Sequence, residues 1–146
     1  MSQERDAAAL ERFRPLYDAV SRGDRSTYLD SLDEDVELHQ PAELPGTKGT
    51  FKGKDGLEEL LDENEEAFTE IDWRPQRVID LGDERYLVLL HPKGKGRGSG
   101  VVIEAEVAHL IQQRNEKTTR IDAFVGWGDA LEAVGLSEPD APADSS

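Results

Sequence analysis

The chain has 146 residues, enough to enclose one hydrophobic core and too few for two, so a single domain is expected. Its 32 acidic against 17 basic residues leave a formal charge of −15, which repels nucleic acid and anionic membrane and removes both as expected partners. No cysteine is present, which excludes disulfides and thiolate metal sites, and no apolar run reaches the roughly 20 residues of a membrane span.

The charged start, Met1 to Asp6, lacks the apolar core of a leader peptide, and a cytoplasmic protein is the expectation. Leu10, Phe13, Leu16, Tyr17 and Val20 recur at helical spacing and predict a first helix over Asp6 to Arg22, stopped by Gly23. Asp24 caps a short second helix carrying Tyr28, Leu29 and Leu32, and Val36 to His39 predicts a brief strand. Two prolines and three glycines make loop of the segment from Gln40 to Gly53. Asp55 with Glu58 resembles a capping box opening a third helix. Its Leu57, Leu60, Leu61, Ala67 and Phe68 turn to the core, and Glu59, Asp62, Glu63, Glu65, Glu66 and Glu70 form a solvated face.

Ile71 to Leu81 and Glu84 to His91 predict a strand pair about a Gly82-Asp83 turn. The glycine-rich run from Lys93 to Gly100 lacks the spacing of a phosphate cradle and precedes a strand, so it predicts a flexible hairpin tip. From Val101 to Arg114, the apolar Val101, Ile103, Ala105, Val107 and Ile111 alternate with Glu104, Glu106 and Gln112, and His109 falls on the apolar side. That period of two marks a strand with one covered face. After the turn Arg114-Asn115-Glu116-Lys117, the residues Ile121, Ala123 and Val125 repeat the pattern, giving a long hairpin. A helix from Asp129 to Val134 closes the domain at residue 136, and 137–146 read as a disordered acidic tail. Helices first and strands later indicate an α+β domain in which a strongly curved antiparallel sheet wraps the N-terminal helices into a cone with an interior pocket.

Four stretches give this order a family likeness: Tyr17-Asp18-Ala19-Val20-Ser21-Arg22-Gly23-Asp24, Val36-Glu37-Leu38-His39-Gln40-Pro41, Phe51-Lys52-Gly53-Lys54-Asp55-Gly56 and Gly96-Arg97-Gly98-Ser99-Gly100. With the closing Ala130 to Leu136, they resemble the nuclear transport factor 2-like superfamily and, within it, the SnoaL-like polyketide cyclase and ketosteroid isomerase-related group. The resemblance spans roughly Leu10 to Leu136 by element order. It implies the cystatin-like roll of that superfamily, a pocket for a hydrophobic small molecule and a homodimer formed through the sheet. It does not imply one reaction, since the fold hosts isomerases, cyclases, dehydratases, epoxide hydrolases and binders.

Matched residue by residue, the isomerase-like carboxylate at the end of the first strand becomes Gln40, whose amide cannot serve as a base but can hold a carbonyl or a water. The protonated acid of the isomerase site falls at Val107 and its tyrosine at Leu16. The final-strand aspartate of limonene epoxide hydrolases falls at Ala123, with Arg85 alone resembling their arginine. What remains for chemistry is imidazole: His109 on the covered face is either a proton shuttle or a core histidine donating to a backbone carbonyl, His39 beside Gln40 is either a pocket group or a rim residue, and His91 is a surface residue at a strand end. Glu37 and Glu43 are the acids near His39 in sequence and could reach it only if the loop folds back; a His39-Glu pair would then make a dehydratase-like base. The expected pocket is lined by Leu16, Val20, Ala105, Val107, Ile121, Ala123 and Val125, with Gln40 as a polar contact and Trp127 either lidding the mouth or pinning the last helix. No histidine spacing calls for a metal, and no cofactor is expected. Two readings stand: a pocket protein carrying out isomerase-, cyclase- or dehydratase-type proton transfer, or a non-catalytic dimeric ligand-binding or protein-interaction module whose pocket is filled.

Overall fold

The computed structural model describes residues 2–41 and 49–136; Glu43 and the expected tail at 137–146 lie outside the described residues. Helix α1 (Ser2–Ser21) starts earlier than its apolar stripe because Ala7, Ala8 and Ala9 are strong helix formers. It lies on the sheet through buried Phe13 and Tyr17, and the Asp6 carboxylate accepts the Asp80 amide at 2.8 Å. Helix α2 (Arg25–Asp30) is capped by the Asp24 side chain, which accepts the Thr27 amide at 3.2 Å. Leu32, expected on this helix, instead opens strand β1 (Leu32–His39) and is buried there.

Strand β2 (Thr50–Lys52) leads into α3 (Gly53–Ala67). The expected capping box is absent: the helix begins at Gly53, φ +72°, from an extended Lys52 with no side-chain cap, and Phe68 leaves it to start β3 (Phe68–Asp72). The single strand expected over 71–81 is broken at Arg74, whose φ of +44° turns the chain before Pro75 opens β4 (Pro75–Gly82). Strand β5 spans Arg85–Leu90. The glycine run is strand as far as Gly96, forming β6 (Lys93–Gly96), so the tip is confined to 97–100. The expected long strand is two: β7 (Val102–Glu104) and β8 (Val107–Arg114), parted where the Ala105 amide turns to the Pro92 carbonyl at 3.2 Å. Strand β9 (Lys117–Val125) and helix α4 (Trp127–Ala133) complete the fold.

The larger sheet has the order β2-β1-β9-β8-β5-β4, and every pair is antiparallel except β1 with β9. The smaller sheet, β3-β6-β7, stands apart from it. Both tight turns of the large sheet, Asp83-Glu84 and Asn115-Glu116, hold two successive non-glycine residues at positive φ, the geometry that matches strand twist.

One core fills the space between the large sheet and α1 to α3, centred on Phe13, Val36, Leu57, Val78 and Val88. A second, on the outer face of the sheet, packs Leu87, Leu89 and Ala108 against Ala130 and Leu131 of α4. Strand β5 serves both: Val88 and Leu90 face the first core, Leu87 and Leu89 the second, and all four are fully buried. A strand covered on both sides must be a continuous apolar run, and Leu87-Val88-Leu89-Leu90 is one.

Candidate functional site

The open end of the first core holds a cavity of about 310 Å³ bounded by α1, α3, the end of β1, the small sheet, β8 and β9. Its wall is apolar and aromatic, with Tyr17, Tyr28, Phe68 and Trp73, and among the described residues includes no Asp, Glu, Lys or Arg. The polar side chains are those of Tyr17, Tyr28, Gln40, Asn64 and His109. Ile103 and Val125, each about half exposed, mark its rim, beside exposed Val101 and Val102 on β7 and the turn before it.

His109 comes from β8, where the alternation that buries Ala108 in the outer core turns the imidazole inward. Its Nδ1 lies 2.8 Å from the Tyr17 hydroxyl of α1. The ring stacks on Tyr17 at 5.7 Å between centroids and meets Trp73 at 6.0 Å and a tilt of 47°. Burial lowers the His109 pKa from 6.5 to about 4, so the imidazole is neutral near pH 7. Burial raises Tyr28 to about 12 and, with Tyr28 as neighbour, holds Tyr17 well above its usual value, so both phenols keep their protons.

A neutral imidazole carries one N–H, so two proton arrangements fit the 2.8 Å contact. Either Tyr17 donates to Nδ1 and Nε2 keeps the proton, or Nδ1 donates to the phenol oxygen and the Tyr17 hydroxyl donates elsewhere. In both, the pair offers one remaining donor and one acceptor. Interconversion moves a proton from one end to the other without creating charge.

Val20, Gln40, Ala105, Val107, His109, Ala123 and Val125 of the expected site line this cavity. Four expected residues do not. Ile121 is packed in the core, and Leu16 lies against that core one residue from the helical position that reaches the cavity. Tyr17 occupies that position and brings a phenol to the cavity wall, while Leu16, expected there, does not reach it. Trp127 pins α4, its indole N–H donating to the carbonyls of Leu90 at 2.9 Å and Val107 at 3.2 Å.

His39 shares the outer face of β1 with Glu37, opposite Leu38, which lines the cavity. The His39-Glu37 pair does form, Nε2 to Oε1 at 3.0 Å, with Thr50 Oγ1 3.3 Å from Nδ1. It faces away from the cavity, beside the Arg120-Asp122 ion pair of β9, and so is removed from the candidate catalytic groups. Glu104 pairs with Arg74 at 3.1 Å and lies 3.6 Å from His91, and neither it, Glu106 nor Asp122 borders the cavity. Among the described residues no three His, Asp or Glu side chains gather as a metal site.

The alternation pattern does not single out Tyr17, Tyr28 and Trp73 as wall residues. The available signal is the helical stripe Phe13-Tyr17-Val20, which puts Tyr17 on the face that Val20 presents.

The low His109 pKa carries a pH signature. The unfolded chain takes up this proton near pH 6.5 and the folded chain only near 4, so stability is complete above about pH 6.5 and is lost as pH falls toward 4, by about 3 kcal/mol at most. His109→Gln, which can still bond Tyr17, should flatten that part of the urea-stability profile, and an NMR titration of the native imidazole should have its midpoint near 4. A midpoint at the unperturbed 6.5 would refute the buried neutral ring.

The family model described as SnoaL-like domain matches residues 13–121. Among solved structures, an NTF2-like protein of unknown function from Burkholderia pseudomallei K96243 superposes with a TM-score of 0.72 at 20% identity, over 87% of this chain and 97% of that one. TerC, co-crystallised with polyporic acid, gives 0.71 at 22% identity over 86% and 96%. A protein described as a SnoaL-like polyketide cyclase from Jannaschia sp. CCS1 gives 0.68 at 14% identity, covering 94% of each chain. Likeness at such identities concerns the fold. No curated protein matches the chain.

Proposed function

The chain belongs to the SnoaL-like domain family, within the NTF2-like fold, and from that premise we propose that it binds a small molecule with an uncharged, largely apolar body and one hydrogen-bonding oxygen. The observation that carries this reading is the Tyr17–His109 pair in a cavity of about 310 Å³ whose wall, among the described residues, includes no charged side chain. That volume falls at the lower end of the range for small-molecule sites, about 300 to 1,000 Å³. A carbonyl or hydroxyl can meet the pair's free donor, while the aromatic wall takes the hydrocarbon. The alternative of a filled pocket has no support from this volume.

1-Tetralone and the hydrocarbon tetralin, alike in shape, test the anchor by thermal shift. The ketone should bind about three- to tenfold more tightly, the worth of one hydrogen bond, with the preference shrinking in Tyr17→Phe. Equal affinities in the unaltered protein would sink the anchoring role.

A second reading, isomerase-, cyclase- or dehydratase-type proton transfer, is favoured by the charge-neutral proton exchange open to the pair, with Gln40 orienting the substrate. Its signature would be protein-dependent deuterium uptake beside the ketone of 1-tetralone in D₂O, lost in His109→Gln. The reading also includes a homodimer on the outer face of the large sheet, where Leu110 and Phe124 are only partly covered.

A further inference from the structure

Behind the cavity lies a second hollow of about 380 Å³, bounded by the end of α1, the start of α2, the second half of α3, β3 and the hairpin tip. Val20, Leu61, Asn64, Phe68, Ile71 and Trp73 border both spaces, so the partition is one layer of side chains thick. The character changes across it. Among the described residues the first space has no charged side chain in its wall, whereas Arg22, Arg25 and Arg97 line the second, together with Glu65 and Glu70.

In a chain of charge −15, Arg22, Arg25 and Arg97 bring three guanidiniums to one cleft, set among the carboxylates of Glu65 and Glu70. Their existing ties differ. Arg25 is held by Asp62 and Glu65, each at 2.9 Å. Arg97 donates to the Glu65 and Phe68 carbonyls, which leave its formal charge uncancelled. Arg22 is mostly exposed, with Asp24 at 3.6 Å, beyond hydrogen-bond distance. Glu70 stands opposite Lys95 on the neighbouring strand.

Phe68 is part of the partition. The Phe68 ring rests on Gly94, where a Cβ would come within 3.0 Å of it, so the ring uses space that only glycine leaves free on that side. Phe68 also sits at the α3–β3 junction, at the end of the helix rather than within it.

We propose that the two spaces form one amphiphile site: the cavity takes the apolar body, and an anionic group, carboxylate or sulfonate, passes the Phe68 partition to lie among Arg22, Arg25 and Arg97. This rests on the cavity being a ligand site and adds the ligand's second pole. An apolar acid then has a place for its charge, which the cavity alone does not offer.

Two fluorescent probes with one skeleton test it. N-phenyl-1-naphthylamine is neutral, and 1-anilinonaphthalene-8-sulfonate adds a sulfonate. Arg22→Glu should weaken the sulfonate probe about fivefold and leave the neutral probe within about twofold, as expected for reversing one partly solvated charge. Arg22→Lys should retain sulfonate binding, and added NaCl should weaken the sulfonate probe alone. Arg22 is exposed and on no core contact, so the fold is expected to tolerate both changes. Unchanged sulfonate affinity in Arg22→Glu, or a native protein that takes the neutral probe and refuses the sulfonate, would overturn the proposal. Failure of both probes to bind would instead overturn the cavity's role as a ligand site.

Discussion

Ala123→Trp should abolish binding of 1-tetralone and of the neutral naphthylamine probe while leaving the protein folded. Ala123 lines the cavity and is the direct cross-strand partner of His109, so its Cβ stands beside the imidazole. An indole there would enter a space of about 310 Å³ and crowd the Tyr17–His109 pair that anchors the ligand. Overpacking a filled core costs about 1 to 3 kcal/mol, and growth into an existing void should cost no more than the low end of that range. The expected result is a melting temperature close to that of the unaltered protein and no ligand-induced rise. A variant that binds the ketone as before would mean that the ligand site is elsewhere.

Phe13→Ala should cost about 3 to 5 kcal/mol in urea unfolding, the largest loss expected from one substitution in this chain. Phe13 is 1% exposed and meets Tyr86 of β5 at 5.0 Å and 59°. The Arg12 guanidinium sits 4.8 Å from the Phe13 ring centre and 4.9 Å from that of Tyr86, and donates to Gln113 at 3.0 Å. Gln113, itself buried, donates to Thr118 at 3.1 Å. Removing the phenyl ring therefore opens a cavity between helix and sheet and withdraws one of the two aromatic faces that hold the guanidinium. Phe13→Leu, which keeps most of the volume, should cost much less. Comparable costs for the two would indicate that the ring's packing is not what matters.

The α+β order, the four helices and the inward parity of His109 were legible because each rests on a local period: 3.6 residues in Leu10-Phe13-Tyr17-Val20, two in Val107-His109-Ile111. The breaks were not. Arg74 adopts a φ of +44° although arginine has no preference for it, and the split between β7 and β8 follows from a hydrogen bond to Pro92, a residue of the preceding connection. The site was legible in half. The β8 and β9 contributions follow from alternation, but a cavity wall is also made by residues that periodicity assigns to the core, and Tyr28, Leu57 and Trp73 look like ordinary packing until the sheet curves around them. His39 was placed beside Gln40 by proximity, yet adjacent residues of a strand point to opposite faces, which separates the pair.

Strand β5 is shared by the cores on the two sides of the large sheet. Neither the helical layer nor α4 can come away without exposing one face of the same four buried residues, so the two halves are mechanically coupled through it. Heating should accordingly give one calorimetric transition rather than two, and the amides of Leu87 to Leu90 should exchange with solvent only when the whole molecule opens.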